Sequence, residues 1–118
     1  VGTGNMGLLL DSHHCYSSGL PGGEFSKYIR DEKDIVIVHI NDSPAGVPID
    51  EVKDSPRFYP GEPGGGGNDL IGFMNALKSL EYTGPVVLEP FSETLNGMSD
   101  NDAIAKIVSD SIDSVWPK

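Results

Sequence analysis

Three apolar runs in this chain each deliver a side chain able to hold a divalent cation. Gly7-Leu8-Leu9-Leu10 runs into Asp11, Ile35-Val36-Ile37-Val38 runs into His39, and Val86-Val87-Leu88 runs into Glu89. Two carboxylates and an imidazole suit a hard or borderline ion such as Mn²⁺, Co²⁺, Mg²⁺ or Zn²⁺. Three protein ligands would leave positions open for substrate oxygens. No local signature of the His-Glu-x-x-His kind joins them, so the site exists only if the fold gathers three strand ends. Each residue also has a plainer reading: Asp11 as a helix cap or turn former, His39 as a hydrogen-bonded core histidine, Glu89 as surface before Pro90. Nearby, His14 can donate to a substrate hydroxyl, while His13 reads as a loop histidine. Cys15, with no base placed for it, reads as a small buried hydrophobe. Arg57 is the best single candidate for an anionic or hydroxyl-rich substrate group. The glycines from Gly64 to Gly67 lack the Lys-Ser/Thr sequel of a phosphate loop and read as a flexible stretch.

The elements that must position these residues alternate in type. The run ending at Asp11 is wholly apolar, as expected for a strand buried on both faces. Ser17 to Gly23 has loop composition, and Phe25, Tyr28 and Ile29 are spaced for a weak helix over 24–31. Ile35–Ile40 is the strongest strand signal, since five of its six residues are β-branched. Alternation puts His39 on one face with Ile37 and Ile35, and Glu89 on one face with Val87. Residues 41–68 form a long connection rich in proline and glycine, a length typical of binding loops and lids. A helix is predicted from about Asn68 or Asp69, with Leu70, Phe73, Met74, Leu77 and Leu80 along one face. Gly84-Pro85 closes it before the third strand. Ser99 or Asp100 can cap a last helix with a stripe of Ile104, Ile107, Val108, Ile112, Val115 and Trp116. The order is β-α-β-loop-α-β-α, an α/β class with parallel pairing and right-handed crossovers. In such sheets, ligand sites lie at the carboxyl edge, where Asp11, His39 and Glu89 fall.

Composition narrows the partners. With 18 acidic against 8 basic residues in 118, the net charge of −10 opposes binding to nucleic acid or to an anionic membrane. No apolar run approaches the ~18 residues a spanning helix needs. A single cysteine excludes an internal disulfide framework and a cysteine-based zinc site, and fits a reducing, cytoplasmic compartment. The chain opens at Val1 without an initiator Met, directly before a strand, which leads us to expect a processed or partial chain.

Three strings then show a resemblance. Gly7-Leu-Leu-Leu-Asp11-Ser-His-His14-Cys-Tyr16, Val38-His39-Ile-Asn-Asp42-Ser-Pro44-Ala-Gly46-Val-Pro48 and Gly84-Pro-Val-Val-Leu-Glu89-Pro-Phe91 resemble the sugar phosphate isomerase/epimerase family, which has the xylose isomerase-like TIM-barrel fold. The resemblance implies that residues 1–118 form a partial barrel domain. They would be the C-terminal portion of a (β/α)8 barrel, about three βα units corresponding to strands six to eight. It also implies Asp11, His39 and Glu89 as metal ligands, His14 as a substrate contact, and Glu89 as a catalytic residue moving a proton through an enediolate. The second catalytic glutamate of related epimerases belongs on a fifth strand, which is expected upstream of Val1. Some epimerases carry an arginine six positions after the metal histidine. That position is Ala45 here, so Arg57 takes over the role or the substrate class differs.

The implied activity is a divalent-metal-dependent isomerase or epimerase of a sugar or sugar phosphate. Its partner would be the rest of the barrel or another copy of the chain. A dehydratase of a cyclic polyol, or a non-catalytic barrel fragment needing a partner chain, are the alternatives. An endonuclease-IV-like phosphodiesterase needs more histidines than three and a basic face.

Overall fold

The computed structural model describes residues 4–118. Three strands, β1 (Leu8–Asp11), β2 (Ile35–Ile40) and β3 (Val86–Leu88), pair in parallel in the order β1-β2-β3. Four helices accompany them: α1 (Ser12–Ser17), α2 (Leu70–Ser79), α3 (Glu93–Asn96) and α4 (Asn101–Val115). The expected alternation and parallel pairing are present.

One face of the sheet carries the core. Leu10, Val38 and Ile40 pack with Leu70, Phe73, Met74 and Leu77 of α2 and with Phe25. The Phe25 and Phe73 rings meet at 4.7 Å between centroids. The α2 stripe is thus the predicted one, with Leu80 only half-buried at its end. Asp69 starts the helix by accepting from the Gly72 amide.

Several elements depart from expectation. Residues 24–31 form no α-helix: Gly22–Tyr28 winds as a 3-10 segment, and Tyr28 is exposed. Close approach is the reason. This segment lies so tightly on α2 that a Cβ at Gly23 would meet the Ala76 Cβ at 2.9 Å and the Gly72 carbonyl at 3.1 Å. The strand ending at Asp11 is not buried on both faces, because Leu9 is 51% exposed. It lies on the uncovered face with Val87, which is 38% exposed. Ile35 leaves the expected alternation and joins the core, where pairing with β1 slips between Leu8 and Leu9. The α4 stripe is only half-buried and Trp116 is exposed, since α4 touches the rest chiefly along α2. Asp100 caps α4 as predicted, accepting from the Asp102 and Ala103 amides.

The 41–68 connection is anchored rather than loose. Asp42 bridges to Phe58 and Pro44 to Gly65. The Gly67 amide donates to Ser43 O at 2.9 Å, and a Cβ there would meet the Pro44 carbonyl at 2.5 Å. The glycine run therefore serves close backbone packing, not flexibility as its composition suggested. Among the described residues, no helix is long and apolar enough to cross a membrane.

Candidate metal centre

The register brings the three strand-end residues onto one face. Asp11 lies opposite His39, and His39 lies opposite Val87, two residues before Glu89. All three sit at the carboxyl edge of the sheet, with ligand atoms within 4.8 Å of one another. His39 Nδ1 is 3.1 Å from Glu89 Oε2 and 3.8 Å from Asp11 Oδ2. The donor set passes a chemical test for a divalent ion. It offers two anionic oxygens and one imidazole nitrogen, on neighbouring strands, with their atoms turned toward a common point.

Asp11 divides its contacts between its two oxygens. Oδ1 caps α1, accepting from the His13 amide at 2.8 Å and the His14 amide at 3.1 Å. Oδ2 faces the site, where it accepts from Asn41 Nδ2 at 3.1 Å. The sequence predicts no helix over Ser12–Ser17, although a helix cap is one of the plain readings of Asp11. Helix and site share one carboxylate.

Arg57 enters from the long connection and is buried against this cluster. Its Nη1 is 3.1 Å from Glu89 Oε2 and 3.4 Å from Asp11 Oδ2. Nη2 donates to Asp54 Oδ1 at 2.5 Å and meets His14 Nε2 at 3.1 Å. Since guanidinium only donates, His14 Nε2 must be the acceptor of that contact. The Phe91 ring lies 4.5 Å below the guanidinium carbon, a cation–π seat. Arg57 holds the Asp54 carboxyl below the usual carboxylate range. Arg57 and His14 thus do converge on the candidate ligands, as two members of one polar cluster.

His13 is not a loop residue. It is fully buried in α1, with Nε2 at 3.0 Å from Lys53 O and Nδ1 at 3.0 Å from Ser43 Oγ. A carbonyl only accepts, so Nε2 carries the proton and Nδ1 accepts from Ser43. Burial, aided by the charge of Arg57, lowers its pKa, which suits this neutral tautomer. Cys15 is half-buried against the core, as expected of a small hydrophobe, and burial pushes its thiol up to about 11.

Residues that the sequence did not single out complete the cluster. Asn41, Ser12, Ser43 and Asp54 supply the hydrogen bonds just described or their supports. A signal for Asn41 existed: it follows His39 by two positions, which places it on the same side of an extended chain.

The chain has counterparts among known proteins. The chain is 30% identical over 115 residues to the inosose isomerase of Bacillus subtilis strain 168, covering 98% of this chain and 39% of that protein. It is 31% identical over 104 residues to the inosose isomerase of Bacillus licheniformis, covering 88% and 35% respectively. The chain therefore spans under two fifths of the length of these relatives. A crystal structure of the IolI protein with a bound zinc atom superposes with a TM-score of 0.75 at 31% identity, over 94% of this chain and 38% of that one. A xylose isomerase-like TIM barrel/4-hydroxyphenylpyruvate dioxygenase fusion protein, 24% identical, shares the fold with a TM-score of 0.69 over 92% and 17%. The sequence profile of the xylose isomerase-like TIM barrel matches residues 1–114. With its parallel βα units and its carboxyl-edge cluster, the chain belongs to the xylose isomerase-like TIM-barrel family.

Proposed function

We propose that this chain supplies one side of the active site of a divalent-metal-dependent isomerase or epimerase acting on a sugar-like polyhydroxy ketone. The observation that carries the reading is the convergence of Asp11 Oδ2, His39 Nδ1 and Glu89 Oε2 at the carboxyl edge. These three residues would hold the ion, with zinc first in order given the zinc in the IolI structure. When bound, the ion supplies Lewis-acid polarisation of a carbonyl and its neighbouring hydroxyl.

The chain's own residues then account for one half of the proton transfer. Glu89 leaves 46% of its side chain exposed, so substrate can reach it. Its Oε2 faces His39 and Arg57, which leaves Oε1 to take or return the proton beside a ketone. Charge building on the enediolate is offset by Arg57, whose guanidinium is fixed by Asp54 and Phe91. His14 keeps an exposed ring beside Arg57 and makes the contact to a substrate hydroxyl, while buried Arg57 holds the ring through Nε2. The inosose isomerase relatives point to a cyclic polyhydroxy ketone, without requiring phosphate, as the substrate class. The second acid/base group comes from the remainder of the barrel or from another copy, which would also cover Leu9 and Val87 on the open face. A free Cys15 accords with a cytoplasmic site of action.

Hydrogen exchange tests this reading. The complete protein is incubated with an inosose in D₂O and the signal of the C–H beside the carbonyl is followed by proton NMR. The expected result is loss of that signal, abolished by a chelator and by Glu89→Gln. Exchange that persists in the chelator overturns the reading, as does no exchange with added metal. Release of water without exchange would favour the dehydratase alternative.

A further inference from the structure

We propose that Asn41 is a positioning residue that ties the Asp11 and Glu89 ends of the site to one another. This rests on the metal reading above. Asn41 is completely buried at the end of β2, and both polar atoms of its side chain are spent on candidate ligand residues. Nδ2 donates to Asp11 Oδ2 at 3.1 Å, while Oδ1 accepts from the Glu89 backbone amide at 3.0 Å. The orientation is set by chemistry: a carboxylate only accepts and a backbone N–H only donates, so a flipped amide would lose both bonds.

The backbone of Asn41 is pinned as well. Its N–H donates to Ser12 Oγ at 2.8 Å, and the Ser12 hydroxyl donates to Asn41 O at 2.6 Å. One rigid amide therefore spans from the last residue of β1 to the residue after β3.

Two consequences follow for the cluster. Asp11 is restrained on both oxygens, by the α1 amides at Oδ1 and by Asn41 at Oδ2, so the plane of its carboxylate is fixed. Oδ2 also accepts the longer contact from Arg57 Nη1 at 3.4 Å, so Asn41 makes the shorter of its two hydrogen bonds and sets how it faces the site. Glu89, whose side chain is far less restrained, has its backbone held at a set distance from that carboxylate. Asn41 does this without charge; a carboxylate in its place would face Asp11 with like charge, and a serine would not reach both partners. Removing such an outer partner characteristically costs about 10–100-fold in metal affinity.

Asn68 provides a matched control. It is also a buried asparagine whose side chain makes two hydrogen bonds, to Ser12 O and from the Gly22 amide, yet it touches none of Asp11, His39 and Glu89. Co²⁺ is titrated into the full chain of the wild type, Asn41→Ala and Asn68→Ala, reading the visible ligand-field bands and the dissociation constant. Urea unfolding of each variant runs alongside. The expected result for Asn41→Ala is affinity weakened about 10–100-fold with altered bands. Asn68→Ala should lose comparable stability while keeping the wild-type bands and an affinity within about threefold. If Asn41→Ala does not fold, Asn41→Leu, which keeps the volume, takes its place with the same expectation. Unchanged cobalt binding in the Asn41 variant overturns the inference, as does equal weakening in both variants. A wild type that takes up no cobalt overturns the metal reading itself, and this inference with it.

Discussion

Asp11 and Glu89 face the same histidine from its two sides, and they are held in opposite ways. The Asp11 side chain is 3% exposed and accepts from two helix amides, an asparagine amide and a guanidinium. Glu89 is 46% exposed and, among the described residues, its side chain is restrained by His39 and Arg57 alone, through one oxygen. The difference separates two demands on a carboxylate. A ligand that sets where an ion sits gains from being rigid, whereas a group that must take up and return a proton needs a free oxygen and room to move. Asp11 is therefore tied into the fold as well as into the cluster, whereas the Glu89 side chain meets the cluster alone.

Asp11→Ala is the most damaging test of that contrast. It deletes the α1 cap, worth ~1 kcal/mol, and strips a counter-charge from buried Arg57. Breaking a buried charged pair costs roughly 3–5 kcal/mol, so a loss of about that size is expected from the midpoint of urea unfolding, together with loss of cobalt binding. A fall below about 1 kcal/mol would show that Asp11 is not a structural carboxylate, and the two ends would then be alike.

Glu89→Gln probes the other end. Because the side chain is half-open and its amide keeps an oxygen toward Arg57, unfolding should shift by no more than about 1 kcal/mol. Turnover of the complete enzyme should fall by about 10²–10⁴-fold, the usual worth of a positioned acid/base group. A variant that loses stability but keeps turnover would reverse the comparison.

How far the sequence leads follows the same division. Strand β2 and the buried stripe of α2 were readable because their patterns are local: five β-branched residues in six, and apolar positions at helical spacing. The convergence of Asp11, His39 and Glu89 was readable because each lies at or beside a strand end, and parallel topology makes strand ends neighbours. Residues 22–28 were misread because the deciding contact, Gly23 against α2, lies some 50 positions away in sequence. The glycine run looked mobile for a related reason: its partners, Ser43 and Pro44, stand at the far side of the loop. In α4 the periodicity was right, but periodicity reports which face is apolar and not how much packs against it. Asn41 fell between categories, polar and buried, with a role visible only once both partners are in place.

Arg57 joins the two ends, and Arg57→Lys sharpens the comparison at intermediate cost. Lysine keeps the positive charge but has no fork, so it cannot reach Glu89, Asp54 and His14 together. Hydrogen bonds to charged groups are worth about 1.5–3 kcal/mol each. Partial replacement should leave a net loss near 2 kcal/mol by that scale, with faster amide exchange concentrated in residues 41–68. Glu89 should then become the looser end still, while the α1 amides capped by Asp11 remain protected. Equal deprotection at both ends would show that Arg57 and not α1 secures Asp11.

The smallest expected effect concerns the root of the connection that carries Arg57. Asp42 is buried there, accepting from the Ser43 amide at 2.8 Å and the Asn68 amide at 3.2 Å. Burial pushes its carboxyl above the ordinary value of 3.8, and those amide bonds only partly oppose the shift. The folded state thus holds this proton more tightly than the unfolded chain does. The corresponding stabilisation is complete below the unfolded value of 3.8 and is lost as pH rises through the higher folded value. Urea midpoints of wild type and Asp42→Asn, compared step by step upward from pH 4, should diverge, the wild type losing ground to a variant that cannot ionise there. The gap should open while cobalt binding by Asp11, His39 and Glu89 stays within twofold of wild type once the chain is folded. Parallel midpoints across that range would mean that Asp42 is not desolvated, and that the connection is tied to the sheet by its backbone bridges alone.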